Sequence, residues 1–349
     1  MPLRSAPSGR LTGIVFLGLL TLGTETLPDR LSDAGGAAWL CPLLAGAAVL
    51  FPVWLLTRRF PSGSVPRGGR RRHPAAVRGA AALLLLWGLA AAAEQACLVG
   101  LRLSEDLRSS PLLVTAALLA LAAWMASGGL AALDRACRIF AMAVGLTFFL
   151  VVLFGLPGLR WDWIVLWQDG VLRALPRGTA VTAETLSVGL YGLVLLEDAE
   201  EDRRGPVRLA ALFLLLAVST LLVNGRLGPG LAGRIERSFF QMVSGLGFQG
   251  AFQRLEELVS ALWLLGDLTL LVLLLLALRR LLSRAAGRRE TTAMVWVTAG
   301  AVLALVLCRT LRGSGLGPAA AGAGSLAAGA MLAAWWLGRN FFENTKKRA

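Results

Sequence analysis

Residues 21–26 read Thr-Leu-Gly-Thr-Glu-Thr, and residues 186–196 read Leu-Ser-Val-Gly-Leu-Tyr-Gly-Leu-Val-Leu-Leu. Both lie in apolar runs, and both make poor membrane-crossing helices. The first places three threonines, a glycine and a carboxylate within six positions, shortly before Pro28. The second is a mostly apolar core interrupted by Gly189 and Gly192 around Tyr191. At about 1.5 Å per residue it reaches about 16 Å, half of a hydrocarbon core about 30 Å thick.

These runs belong to the first and sixth of ten apolar segments. The segments fall at about 11–28, 36–57, 78–101, 111–127 and 137–157, then at about 180–197, 207–224, 256–277, 291–310 and 318–338. The two irregular segments are therefore the corresponding members of two sets of five. Short or glycine-interrupted spans at matching positions point to an inverted-repeat transporter fold with its site near the bilayer midplane. Unwound backbone there is tolerated only where protein or a cavity satisfies its N–H and C=O groups, and such groups suit the ammonium and carboxylate of an amino acid. The expectation is an all-α membrane protein, one ten-helix transmembrane domain over residues 1–349. Repeat one would cover about 11–157 and repeat two about 180–338, as two inverted five-helix repeats with broken helices 1 and 6. In the plainer reading, glycine and threonine merely let helices pack closely.

Composition agrees with a membrane protein. Of 349 residues, 56% are hydrophobic and 16% charged, with 40 glycines besides; mean hydropathy is +0.67. A soluble chain carries about 25% charged residues and has no core large enough for so much apolar surface. Soluble enzyme, disordered tail and secreted disulfide scaffold are thereby excluded. The net charge of +14 does not form one nucleic-acid-binding patch, because the basic residues sit in the connections between apolar runs. With the N-terminus inside, 23 of the 35 arginines and lysines fall on cytoplasmic segments and 12 on outer ones. That bias predicts both termini in the cytoplasm. Arg4 and Arg10 before the apolar stretch 11–23 imitate a signal peptide. No Ala-x-Ala-like site follows closely and nine further spans do, so the stretch reads as a span.

Two longer outer connections carry aromatic residues. Residues 158–179 include Trp161, Trp163 and Trp167, and residues 225–255 include Phe239, Phe240, Met242, Phe248 and Phe252. Each reads as an amphipathic helix at the outer interface, with a lid over a binding site as the functional alternative. Trp39, Trp54, Trp335 and Trp336 fall near predicted interfaces, where an indole keeps its ring in the acyl region and its N–H wet.

Ionisable residues inside spans mark function by default. Glu94, beside Gln95, falls in segment three, and Asp267 in segment eight. The four cysteines, Cys41, Cys97, Cys137 and Cys308, have no metal-ligand spacing, and His73 is the only histidine. No nucleophile–base pair or phosphate loop is evident, so no enzyme activity and no cofactor are expected.

Three stretches carry a family likeness. The first is Leu22-Gly23-Thr24 running to Leu27-Pro28, then Ala34-Gly35, Ala38-Trp39 and Arg59-Phe60-Pro61. The second is Gly129-Leu130 through Ala136-Cys137-Arg138. The third is Phe252-Gln253-Arg254-Leu255-Glu256 followed by Trp263. In these the chain resembles the spore germination permease family, the B subunits of nutrient germinant receptors, within the amino acid–polyamine–organocation superfamily. Leu193 follows Gly192 where that family often has an acidic residue. The resemblance implies ten spans in two inverted repeats and a subunit that senses a small amino-acid-like nutrient. It further implies A-type and lipoprotein C-type partner subunits in the spore inner membrane. The candidate ligand-binding residues are Gly23, Thr24, Glu94, Gln95, Gly189, Tyr191, Gly192, Trp263 and Asp267. An amino-acid transporter coupled to protons or another ion is the alternative.

Overall fold

The computed structural model describes residues 11–48, 74–164, 171–198, 204–246 and 255–312, and every regular element among them is helical. The order is α1 (Leu11–Arg30), a 3₁₀ segment (Ser32–Ala37), α2 (described over 40–48), α3 (Pro74–Leu107), α4 (Pro111–Ser127) and α5 (Gly129–Gly155). Then come 3₁₀ turns at Leu156–Gly158 and Trp161–Trp163, α6 (Val171–Leu186), a 3₁₀ run (Ser187–Asp198) and α7 (Gly205–Leu227). Two short helices follow, α8 (Pro229–Ala232) and α9 (Ser238–Ser244), and then α10 (Leu255–Ala286) and α11 (Ala293–Arg312).

Among the described residues, seven helices are long and apolar enough to cross a membrane, and α4, at 17 residues, is a shorter apolar helix. The chain is a multi-pass membrane protein. The second expected segment is described only as far as residue 48, and the tenth, at 318–338, lies outside the described residues.

α10 forms the axis. Leu270 to Leu275, Ala277 and Leu278 are all fully buried, so this helix is enclosed on every side. α3, α1, α5, α4, α11 and the Ser187–Asp198 run pack around it. The outer helices instead turn large apolar side chains outward: Ile139, Met142, Leu146 and Phe149 on α5, and Trp296, Val297 and Leu305 on α11. Exposed apolar stripes of this kind suit acyl chains rather than water.

The two expected breaks differ. α1 does not break: it runs helically through Thr21–Thr26 and past Pro28 to Arg30. The threonine hydroxyls are satisfied within the helix itself. Thr21 donates to the Gly18 carbonyl, Thr24 to Leu20 and Thr26 to Leu22, a local bond open to such side chains in a helix interior. Segment six does change character. α6 gives way to the 3₁₀ run after Leu186, and Gly189, Tyr191 and Gly192 all lie in that run. Mid-span 3₁₀ structure of this length is uncommon.

The connection at 158–179 holds 3₁₀ turns and then α6, which starts at Val171, so no single amphipathic helix covers its described part. Trp161 is exposed, and Arg160 stacks on Trp163 at 4.0 Å. In the second connection α9 is not interfacial. Phe239, Phe240, Met242 and Val243 are all buried, because α9 turns inward against α10, α1 and α7.

Candidate functional site

Three helices bring charged side chains to one point. α1 and α10 run antiparallel and very close, since a Cβ at Gly18 would stand 3.2 Å from the Leu270 Cα. α3 and α10 are also antiparallel: Arg102 meets Asp267 at one end, and Gly88 approaches Leu278 at the other. Arg102 Nη1 donates to Glu25 Oε2 at 2.7 Å, and Arg102 Nη2 donates to Asp267 Oδ2 at 2.5 Å. The side chains of Arg102 and Asp267 are 2% and 0% exposed and that of Glu25 is 10%, so this ion triad is shielded from water. Two buried carboxylates on one guanidinium are costly to assemble and rarely favoured for stability alone. The second oxygen of Asp267, Oδ1, is buried without a hydrogen-bond partner among the described residues.

An aromatic layer adjoins the triad. Trp263 is fully buried and donates its indole N–H to Thr24 Oγ1 at 2.8 Å. Its ring lies 5.2 Å from Phe239 and 6.5 Å from Phe148. Phe240, edge-on to Phe239, places its ring 5.3 Å below the Arg102 guanidinium. α9 therefore sets Phe240 against the triad's guanidinium and Phe239 against Trp263. Its first turn is held by Asp29 at the end of α1, whose carboxylate accepts the Arg237 and Ser238 N–H groups at 2.9 and 3.1 Å. The Ser238 hydroxyl also donates to Asp29. Arg237 has φ 61°, a left-handed conformation that costs a non-glycine residue about 1–3 kcal/mol unless its surroundings hold it. Its guanidinium pairs with Glu105 at 2.9 Å.

The sequence-predicted residues separate into groups. Thr24, Trp263 and Asp267 meet in the triad layer. Gly189, Tyr191 and Gly192 lie toward the other end of α1, where Gly189 faces Leu19 and Gly192 faces Val15. Tyr191 donates to the Leu84 carbonyl at 3.3 Å and borders Gly88. On α10, Leu278, which borders Gly88 as Tyr191 does, is about 16 Å from Asp267 by helical rise. Gly23 sits in an intact helix, where a Cβ would stand 2.6 Å from Leu216 Cδ2 of α7. Its backbone is not unwound; its lack of a side chain admits α7. Gln95 is buried, and Glu94 is half-buried with Arg309, Arg30 and Glu184 as the charged groups acting on it.

Arg102 and Glu25 join the site without having been singled out. Arg102 falls one residue beyond the apolar segment 78–101 and reads as a loop cation, yet α3 continues to Leu107. Glu25 reads as a helix-breaking residue. Its i, i+4 neighbour Asp29 is the second acidic residue on the same face of α1, and that spacing was the available signal. Among the described residues no group of three His, Cys, Asp or Glu side chains could hold a metal ion.

No protein-family model matches this chain, and neither does any curated protein.

Proposed function

We propose that the chain is the membrane subunit of a spore nutrient germinant receptor, binding a small amino-acid-like germinant at the triad layer. The observation that carries this reading is the buried ion triad Glu25–Arg102–Asp267 beneath α9. Charged groups placed inside membrane spans mark ligand or ion sites. The triad offers carboxylates for an amino acid's ammonium, and the ligand's carboxylate would take over one arm of the guanidinium fork now held by Glu25 and Asp267. Two stretches of the family resemblance, Leu22–Thr24 and Trp263, meet through the Trp263–Thr24 hydrogen bond. In this reading the fold completes to ten spans in two inverted repeats with cytoplasmic termini. Binding displaces α9 or shifts α1 against α10, and A-type and C-type subunits in the spore inner membrane respond to that shift. The change to 3₁₀ structure after Leu186 supplies an element able to shift register.

Spores carrying Asp267→Asn test the proposal. Loss of the nutrient response at normal protein level is expected, and an unchanged response overturns it. A second reading, an ion- or proton-coupled amino-acid transporter, is favoured by the unequal charge count of the triad. Accumulation of an amino acid against a gradient in proteoliposomes supports that reading, whereas binding without uptake supports the receptor.

A further inference from the structure

We propose that the turn joining α10 to α11, together with the start of α3, binds the phosphate of an acidic phospholipid. The chain gathers cations here. Arg279, Arg280, Arg284, Arg288 and Arg289 fall on the last turns of α10 and the turn itself, and Glu290 is the only acidic residue between Asp267 and Glu343. α10 closes on Gly287, at φ 64°, with the Arg288 N–H bonded to the Ser283 carbonyl at 3.0 Å and the Gly287 N–H to that of Arg284 at 3.3 Å. This glycine closure fixes where the chain leaves the helix. Glu290 folds back to pair with Arg279 at 3.2 Å and reaches Arg280 at 3.7 Å, so the one carboxylate of the turn is taken. Arg78 of α3 brings a further guanidinium, since a Cβ on Gly287 would stand 2.6 Å from its Nη2. Arg78, Arg288 and Arg289 are all exposed, and none has a carboxylate partner among the described residues. Guanidinium groups held at one turn suit the oxygens of a phosphate.

The surroundings favour a lipid over a free anion. α3 runs antiparallel to α10, and α11 returns from α10 through a short turn, so α3 and α11 lie parallel and in contact. Arg78 and Ala293 stand at one level, because Glu94 and Arg309, each sixteen residues further on, act on one another. From that level toward the middle of the bundle, Leu83 and Leu86 of α3 and Trp296 and Val297 of α11 are exposed. Cations above an outward-facing apolar surface match an amphiphile, its phosphate above and its acyl chains below. Trp296, one turn inside the arginines, is placed where an indole meets the headgroup level. The arginine bias of the connections predicts that this end faces the cytoplasm, where acidic lipids give the leaflet its negative surface. Gly287 is about 30 Å along α10 from Asp267 by helical rise, so the site is separate from the triad and independent of germination.

The test follows the unfolding midpoint of the purified full-length chain in a non-ionic detergent at constant ionic strength. Dioleoylphosphatidylglycerol is compared with dioleoylphosphatidylcholine, which has the same acyl chains and a neutral headgroup, and with inorganic phosphate. Phosphatidylglycerol should raise the midpoint saturably, by about 2–4 °C at ten times its dissociation constant, and the other two should not. Arg78→Gln and the double variant Arg288→Gln/Arg289→Gln should each lose at least half of that rise. Arg234→Gln, which neutralises an exposed arginine between α8 and α9 at the opposite end, should keep it. Each shift is taken from the variant's own lipid-free midpoint, so a variant that is merely less stable still reports. No rise with phosphatidylglycerol overturns the proposal, as does a full rise in both the Arg78 and the double variant. An equal rise with phosphatidylcholine would reduce the site to acyl-chain packing, and an equal rise with inorganic phosphate would make it a free-anion site; either result also overturns it.

Discussion

Arg102 and Asp267 stand 165 positions apart in the sequence, yet the guanidinium lies 2.5 Å from the carboxylate with both side chains almost fully enclosed. This pair, with Glu25 on the other arm of the fork, ties α3 and α1 to the axial helix α10. Removing the shared cation strands two buried carboxylates beside each other, whereas removing Glu25 leaves a matched pair. Arg102→Met should therefore cost about 3–5 kcal/mol, and Glu25→Gln distinctly less. Chemical unfolding of both variants in one detergent checks the order; equal losses would show that the fork does not bind both acids.

Gly18 and Gly23 differ in what faces them, and the difference predicts a difference in cost. A Cβ at Gly18 would meet the Cβ and Cα of Leu270, which cannot move without shifting α10. A Cβ at Gly23 would meet the tip of the Leu216 side chain, which can rotate. Gly18→Ala should destabilise by about 1–3 kcal/mol, and Gly23→Ala by less. Adding Leu216→Ala to Gly23→Ala should offset part of that smaller overpacking loss, a coupling that a double-mutant cycle measures.

Asp29 is the attachment of α9. Asp29→Ala removes the acceptor of the Arg237 and Ser238 amides and leaves a left-handed Arg237 less supported. A capping loss of about 0.5–2 kcal/mol corresponds to roughly 2- to 30-fold faster local opening. Hydrogen exchange of the α9 amides should rise by that factor while α10 stays protected. Unchanged exchange in α9 would place its attachment elsewhere.

The architecture was legible in the sequence wherever it depends on apolar run length. Eight of the ten expected segments, all but the second and the tenth, fall on helices or 3₁₀ runs over essentially their full length. The irregularity of segment six also showed, because Gly189 and Gly192 cut an already short run. The expected break in α1 was misleading for a local reason: Thr21, Thr24 and Thr26 bond back to their own helix, which residue type alone does not reveal. Asp267 was legible as a carboxylate in an apolar run. Arg102 was not, since it sits just past the apolar edge and only the extra turns of α3 carry it inward. No sequence pattern announces a contact between residues 25, 102 and 267; it arises from how α1 and α3 cross α10.

Trp263 links the aromatic cover to α1. Trp263→Phe keeps most of the ring contact with Phe239 and Phe148 but deletes the donor to Thr24. Thr24 Oγ1 still donates to Leu20, so the loss should be only about 0.5–1.5 kcal/mol. If α9 and Trp263 form the ligand cover, this variant should weaken ligand response more than stability. A response that falls only in step with the unfolding midpoint would make Trp263 a packing residue alone.

The central claim, that the Glu25–Arg102–Asp267 layer receives a small amino-acid-like ligand, is tested most directly by thermal unfolding of the purified chain against a panel of amino acids. At least one amino acid should raise the midpoint of the native protein in a saturable way, by about 2–4 °C at ten times its dissociation constant. The same amino acid should leave Asp267→Asn unmoved. A panel with no effect on the native chain, or a shift fully retained in Asp267→Asn, would contradict the account.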